Sequence, residues 1–197
     1  VCLKNKRSED RYIIFFTVSI FNGYKLIGED STAVMDSYIK NLIELRHNEH
    51  LKMFNKKQFE YDFIQLKNEL RMQNGMYVIF EIRNINKYRS MFGDGFYKEI
   101  ILRHSVKIKE LFKEYGNLYY FDNELFVLLI LGSEKSAKFK QNVKDYMNKL
   151  NMPLHVEKSL IKIDCYAGIV DLDYNIVSSG FSEIHSMAEF TLEKAYE

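Results

Sequence analysis

The chain has 197 residues, of which 47% are hydrophobic and 28% charged, and its formal net charge is +1. This length accommodates one good-sized domain and a fragment of another, and the hydrophobic content supports a well-packed core. Because 28 basic residues face 27 acidic ones, the chain lacks the basic excess of a nucleic-acid-binding surface. We therefore predict no nucleic-acid partner.

Cysteine usage and hydropathy both favour a cytoplasmic protein. Cys2 and Cys165 form no CxxC pair and have no histidine at metal-ligand spacing, as is typical of a reducing compartment. The longest mainly apolar run, residues 12–21, is shorter than the roughly 20 residues of a bilayer span, and no signal peptide is visible. We predict no membrane contact within this chain, which could still be the cytoplasmic part of a larger, even membrane-attached, protein.

The first part of the chain predicts a β-hairpin and then a helix. Residues 12–21 are rich in β-branched and aromatic side chains, Asn22-Gly23 is a strong two-residue turn signal, and residues 24–27 return. Residues 28–32 are expected to end this sheet and cap a helix, in which apolar residues recur at three- and four-residue spacing over 35–45. That stripe suits pairing with another helix, and packing on the same domain explains it equally well.

From residue 55 onward the pattern predicts an α+β domain. Residues 76–80 form a continuous apolar run, as in a strand covered on both faces. We predict helices at 55–71, 84–92, 95–114, 133–151 and 181–196, a hairpin of 118–121 with 125–131, and one strand at 160–170. This order favours a mixed, mainly antiparallel central sheet flanked by helices, of the ferredoxin-like or polymerase-palm (nucleotide cyclase) type.

Carboxylates follow two of the predicted strands. Glu81 stands at the end of the apolar strand, and an acidic turn, Asp122-Asn123-Glu124, lies between the two strands of the hairpin. Strands that deliver carboxylates to one edge of a sheet are how nucleotidyl-transfer folds hold a divalent metal and a triphosphate.

Five short segments, in the right order and spacing, resemble motifs of the GGDEF domain of diguanylate cyclases. They are Asn-Lys-Lys-Gln-Phe at 55–59, Phe-Glu-Ile-Arg-Asn-Ile at 80–85, Phe-Asp-Asn-Glu-Leu at 121–125, Tyr-Ala-Gly-Ile at 166–169, and Ala-Glu-Phe-Thr-Leu-Glu-Lys-Ala at 188–195. Residues 24–32 are similar to the end of a PAS-type sensor. The resemblance implies a hairpin segment at 1–30 that ends such a sensor, a linker or signalling helix at 31–54, and a degenerate GGDEF domain at 55–197.

The resemblance also implies a dismantled metal site. Of the two metal-binding positions, Glu81 keeps a carboxylate and Asn123 offers a neutral amide, which is a poor Mg²⁺ ligand. Glu124 is retained. No cofactor is therefore required, and any Mg²⁺ binding is expected to be weak.

The nucleotide-binding positions have changed as well. Phe121 and Asp122 replace the two glycines that let phosphates approach the backbone, and Leu125 closes the vestigial signature turn. The remaining nucleotide-binding candidates are Asn86 at the phosphate-binding lysine position and Arg89 and Lys98 at the guanine-reading positions. Residues 112–115 also lack both charged anchors of the family's product-inhibition motif.

We therefore predict a non-catalytic, degenerate GGDEF domain that acts as a regulatory or dimerisation module in bacterial cyclic-di-GMP signalling. The alternatives are an effector that binds GTP or a cyclic dinucleotide, and a residual diguanylate cyclase that joins two GTP molecules. Expected partners are a second copy, through the linker helix, or a neighbouring domain such as an EAL phosphodiesterase, with GTP or cyclic-di-GMP as ligand.

A metal site on the linker helix is a weaker hypothesis. His47 and His50 lie three residues apart beside Glu49, a spacing that could bind a metal. A solvated helix face explains these residues better, because the sequence offers no further ligand cluster.

Overall fold

The computed structural model describes residues 2–4, 10–20, 23–121 and 124–196. The chain divides into two compact units, Val1–Leu45 and Arg46–Glu197. Within the described residues, no helix combines the length and the apolar character that crossing a bilayer demands.

The first unit contains a three-stranded antiparallel sheet of order β1-β2-β3. Its strands are β1 (Cys2–Lys4), β2 (Asp10–Ile20) and β3 (Gly23–Asp30), and helix α1 (Thr32–Arg46) follows. Ile20 pairs with Gly23, so the predicted hairpin forms, with Gly23 as the first residue of its return strand and with Asn22 outside the described residues. The return strand runs to Asp30 rather than ending at residue 27. The Asp30 carboxylate then accepts hydrogen bonds from the amide and the hydroxyl of Thr32 at the start of α1.

The second unit holds eight paired strands and five helices among its described residues. Its elements are β4 (His47–Asn48), β5 (Met53–Phe54), α2 (Lys56–Gln73), β6 (Gly75–Arg83), α3 (Ile85–Phe112), β7 (Gly116–Phe121), β8 (Leu125–Leu131), α4 (Ser133–Leu150), β9 (Leu154–Val156), β10 (Ser159–Ile161), β11 (Asp164–Leu172), α5 (Tyr174–Ser179) and α6 (Phe181–Lys194). The main sheet has the order β11-β6-β8-β7-β5-β4, and β9 and β10 form a separate hairpin. Only the β5–β7 pair is parallel among the described strands. The predicted α+β fold with a mainly antiparallel sheet is confirmed.

Residues of β6 are buried on both faces of the sheet, as its continuous apolar sequence predicts. Met76, Val78 and Phe80 pack in one core with α3 and α4. Tyr77 and Ile79 point to the opposite face and pack in a second core with α2, α5 and α6. This alternation is the two-residue period of a strand, here with helices covering both sides.

Helix α3 contains the break that glycine predicts. Gly93 has φ 86° and ψ 175°, which is non-helical, and the helix continues on either side of it. The predicted helices 84–92 and 95–114 are therefore the two arms of one kinked element.

The prediction of a single strand at 160–170 is wrong. β10 ends at Ile161 and pairs with β9, whereas β11 begins at Asp164 and pairs with β6. Ile161, Ile163 and Cys165 are all buried, so the alternation of apolar residues continues across the break. The alternation of apolar residues shows which side chains are buried. It does not show which neighbouring strand a segment pairs with. Helix α5 and the two-residue strands β4 and β5 were also not predicted.

Candidate functional site

The register of three strands places Glu81 beside the β7–β8 turn. Glu81 pairs with Leu125 across β6 and β8, and Leu125 pairs with Phe121 across β7 and β8. The other two positions of the turn, Asp122 and Asn123, lie outside the described residues, so their assignments stay predictions. Glu124 has φ 61°, in the left-handed region that favours glycine.

A tyrosine from the end of the chain contacts Glu81. The Tyr196 hydroxyl donates a hydrogen bond to Glu81 Oε2, although the two residues lie 115 positions apart in sequence. The Arg83 guanidinium lies 3.2 Å from the centroid of the Tyr196 ring, and Tyr166 packs edge-on against that ring at 4.9 Å. Burial and the bond to Glu81 raise the pKa of Tyr196, so its hydroxyl remains a proton donor.

A second tyrosine contacts Glu124 in the same way. The Tyr97 hydroxyl donates a hydrogen bond to Glu124 Oε1, and the Arg89 guanidinium lies 5.1 Å from the Tyr97 ring centroid. Burial, with the bond to Glu124, raises the pKa of Tyr97. Each of the two carboxylates retained near the turn is therefore held by a tyrosine hydroxyl, and each tyrosine ring lies beneath an arginine.

The three nucleotide-binding candidates lie on α3 and differ in their surroundings. Arg89 Nε donates to Asp94 Oδ1 at 2.5 Å across the Gly93 kink, and this hydrogen bond raises the pKa of Arg89. Asn86 and Lys98 are exposed. Among the described residues, only Arg89 of these three makes a ring or polar contact with the Tyr97–Glu124 pair.

Within the described residues, no three histidine, cysteine, aspartate or glutamate side chains are arranged to hold a metal ion. Glu81 accepts the Tyr196 hydroxyl at Oε2, so a metal bound to that oxygen would have to share it with the hydroxyl. The described donors therefore do not fit a Mg²⁺ centre, which prefers several oxygen ligands in near-octahedral geometry.

The two histidines of the linker hypothesis do not lie on a helix, because α1 ends at Arg46. His47 is in β4, where its ring packs against Phe54 at 4.6 Å. His50 lies beyond β4, and its Nε2 is 3.3 Å from the backbone carbonyl of Lys98. The two imidazole rings therefore contact different groups.

A cavity of about 620 Å³ opens beside Glu81. Phe121 forms part of its wall and is itself only 4% exposed, because its ring packs against Phe59 at 5.5 Å. The cavity is lined by Lys56, Glu81, Arg83, Phe121, Leu125, His185, Glu189, Leu192, Glu193 and Tyr196.

Two of the lining residues, His185 and Glu189, lie one helical turn apart on α6, next to the buried Tyr77. The Tyr77 hydroxyl lies 2.8 Å from His185 Nδ1, and His185 Nε2 is 3.5 Å from Glu189 Oε1. Burial lowers the pKa of His185 and raises that of Tyr77, so both side chains are neutral near pH 7. Glu189 is thus partnered by a histidine, as Glu81 is by a tyrosine.

Sequence reasoning named three of the ten lining residues as site residues and missed seven, among them Lys56, Arg83, His185 and Tyr196. Arg83 could have been found, because it lies two positions after Glu81 and so on the same face of a strand. The other three of these come from α2, from α6 and from the second residue beyond α6, and no local pattern joins them to Glu81.

The main sheet and its helices define a palm-type nucleotide cyclase fold. No family model matches the chain, and no curated protein matches it. Among solved structures, it is similar to a diguanylate cyclase/phosphodiesterase from Caldicellulosiruptor saccharolyticus, at 17% identity and a TM-score of 0.64 over 78% of this chain and 88% of that one. It is also similar to the FimX GGDEF domain from Pseudomonas aeruginosa, at 13% identity and a TM-score of 0.63 over 76% and 94% of the two chains.

A third similar structure is the coiled coil and GGDEF domain of DgcB from Caulobacter crescentus, in complex with c-di-GMP. That match has 12% identity and a TM-score of 0.65 and covers 84% of this chain and 88% of the other. At these identities the likeness defines the fold. The chain contains a domain with the GGDEF fold.

Proposed function

We propose that this chain is a non-catalytic GGDEF domain that serves as a regulatory or dimerisation module in cyclic-di-GMP signalling. The observation that supports this proposal most directly is that both retained carboxylates are hydrogen-bonded to tyrosine hydroxyls. Glu81 and Glu124 each accept a hydrogen bond from a tyrosine, in a region where a nucleotidyl transferase of this fold would bind metal and triphosphate.

Nucleotidyl transfer needs metal ions to neutralise the charge that develops on the phosphate oxygens. A phenol that donates to a carboxylate does not supply this charge, and it competes with a metal ion for the oxygen that accepts its hydrogen bond. The buried Phe121 ring also fills space beside Glu81, at a position where the family has a glycine.

A fold that is preserved around an altered site supports a regulatory role. Both cores consist of buried apolar side chains. The fold matches solved structures described as a diguanylate cyclase/phosphodiesterase and as a GGDEF domain in complex with c-di-GMP. We propose that the partner is a second copy of this chain or an adjoining signalling domain such as an EAL phosphodiesterase.

A nucleotide-binding effector is the second candidate, and one observation favours it. The Arg89 side chain is 52% exposed although it is paired with Asp94, and Lys98 is exposed on the same helix. Phosphate groups could compete with Asp94 for Arg89. Reversing both charges, with Arg89→Glu and Lys98→Glu, should then abolish nucleotide binding, and unchanged affinity would exclude this surface.

The decisive experiment measures turnover and binding on one preparation. GTP and cyclic-di-GMP are titrated into the chain by calorimetry with Mg²⁺ and again with Mn²⁺, and the mixtures are then assayed for cyclic-di-GMP formation. We expect no product. Appreciable product from the wild-type chain, abolished by Glu124→Gln, would establish a cyclase instead.

A further inference from the structure

Helix α6 presents an exposed stripe of side chains in addition to the face that it buries on the sheet. The buried face consists of Ile184, Ala188 and Leu192. The exposed residues, which we call the α6 stripe, are Glu183, Met187, Phe190 and Lys194. They are spaced four, three and four residues apart, which is the spacing of the contact seam between two helices of a coiled coil.

The apolar part of the α6 stripe borders a groove of about 560 Å³. Residues from α5, from α6 and from the end of β11 line this groove, among them Ile176, Met187 and Ile169. The Phe190 ring stands at its margin and is 60% exposed, and Met187 is 39% exposed. The domain therefore offers an aromatic ring and an apolar groove side by side.

The neighbouring edge of β11 does not favour an added strand. Thr191 Oγ1 accepts a hydrogen bond from the backbone N–H of Ile169 at 3.1 Å. The Asn151 side chain bonds both the N–H and the carbonyl of Cys165. In an antiparallel strand, backbone groups four residues apart point to the same side, so two positions of the outer edge are already occupied. A helix suits this surface better than a strand does.

We propose that the α6 stripe binds the α6 stripe of a second copy of this chain, with the two helices antiparallel about a twofold axis. The stripe is symmetric about the point midway between Met187 and Phe190. Reversing it places Phe190 opposite Met187 of the second copy and Lys194 opposite Glu183 of the second copy. The inference rests on the proposed function in that it gives the dimerisation role a surface on the GGDEF-fold domain itself.

Charge complementarity selects this partner and this direction. In the antiparallel arrangement each Glu183 faces a Lys194, and twofold symmetry repeats the pair. A parallel arrangement would place Glu183 opposite Glu183 and Lys194 opposite Lys194, which is repulsive. An acidic residue in the first turn and a basic one in the last also suit the dipole of the helix itself. The exposed apolar pair between them, which the dipole does not explain, is what points to a second helix.

The dimer should be weak. Helix α6 has 14 residues, and the α6 stripe spans about 16 Å at 1.5 Å per residue. A contact of this size belongs to the transient class of protein interfaces. We therefore expect association that depends on protein concentration.

The first test is sedimentation velocity on the wild type, on Phe190→Glu and on the control Ile64→Glu. Ile64 is an apolar residue of α2 that is 67% exposed. We expect Phe190→Glu to raise the dissociation constant of the dimer at least about tenfold, because it places a charge in the apolar centre of the contact. Ile64→Glu should match the wild type. A wild type that stays monomeric at every concentration, or a folded Phe190→Glu protein that dimerises like the wild type, would overturn the proposal.

Charge exchange tests the direction of the helices and still decides if Phe190→Glu does not fold. Glu183→Lys and Lys194→Glu each place like charges opposite one another, so each alone should dimerise severalfold more weakly at low salt. An equimolar mixture of the two variants restores opposite charges at both pairs and should regain the wild-type affinity. Mixing cannot repair an effect on the helix dipole. A mixture that associates no better than either variant alone would overturn the antiparallel contact.

Disulfide trapping reads the register directly. One chain carries Glu183→Cys and the other Lys194→Cys, both with Cys2→Ser, and the remaining Cys165 is buried. Mild oxidation of the mixture should yield mainly the mixed disulfide, and a majority of like-with-like disulfides would contradict the register.

The outcomes distinguish this surface from the proposed function. A dimer that none of the α6 variants weakens would overturn the α6 surface alone and leave a dimerisation role for the linker helix. Cyclic-di-GMP formation by a wild type whose α6 variants do lose the dimer would contradict the non-catalytic assignment and support the surface.

Discussion

The hydroxyl of Tyr97 donates a hydrogen bond to the carboxylate of Glu124, which joins the second arm of α3 to the β7–β8 turn. Glu124 has a left-handed backbone conformation at a position without the freedom of glycine. The hydrogen bond therefore holds in place a turn residue whose backbone conformation is itself unfavourable.

Tyr97→Phe should lower the free energy of unfolding by about 1–2 kcal/mol, because it removes a hydrogen bond to a charged acceptor at a half-buried site. The measurement is urea denaturation at pH 7. Tyr88→Phe is the control, since the Tyr88 hydroxyl donates to the neutral backbone carbonyl of Lys162 at an exposed site. A smaller loss for Tyr97→Phe than for Tyr88→Phe would mean that the bond to Glu124 contributes little.

His104 should make the domain sensitive to acid. Both of its ring nitrogens are buried without a hydrogen-bond partner, and burial, with nearby Lys107, lowers its pKa to about 3. The unfolded chain takes up this proton below about pH 6.5 and the folded protein only near pH 3. This contribution to stability is therefore complete above pH 6.5 and falls by up to about 1.4 kcal/mol per pH unit between 6.5 and 3.

His104→Leu tests this dependence, because it removes the titrating group and two unpaired polar atoms. The slope of the unfolding free energy against pH should become shallower between pH 6 and 4, with little or no loss of stability at pH 7. His155→Leu, at an exposed position, should leave the slope unchanged. Parallel pH profiles for wild type and His104→Leu would refute the assignment.

Gly168 marks the closest approach of α6 to the sheet. A Cβ atom at this position would lie 2.2 Å from the backbone carbonyl oxygen of Ala188. Gly168→Ala should therefore force α6 away from β11 and cost about 1–3 kcal/mol or more of stability. Gly95→Ala is the matched control in α3, where a Cβ would meet no atom within 4 Å, and it should be neutral or stabilising by about 0.5–1 kcal/mol. Thermal unfolding of the two variants tests this prediction, and equal melting temperatures would contradict it.

Asn151 covers part of the free edge of β11. Its side chain accepts a hydrogen bond from the backbone N–H of Cys165 at 2.6 Å and donates one to the carbonyl of the same residue at 3.2 Å. Asn151→Ala would leave these buried groups unpaired, at a cost of about 1–3 kcal/mol, and would open the edge to other strands. We expect a lower midpoint in urea and concentration-dependent association in sedimentation. Asn142→Ala, which removes an exposed side-chain hydrogen bond within α4, should show neither effect.

Local patterns predicted most of the fold for identifiable reasons. The unbroken apolar run of β6 indicated a strand buried on both faces, and Gly93 indicated the break in α3. Where the prediction failed, at 160–170, the apolar alternation was real but passed from one sheet to another. The α5 helix, only six residues long, is too short to carry a clear period.

The sequence by itself determined the fold class and the two-sided core, because both depend on residue type and on periodicity along the chain. The tertiary structure alone decided what the remaining carboxylates do. Glu81 meets Tyr196 because β11 pairs with β6 and α6 crosses β11 at Gly168, and these placements depend on strand order and helix packing. A hydrogen bond between residues 115 positions apart has no period along the chain, so it appears only when the chain is folded.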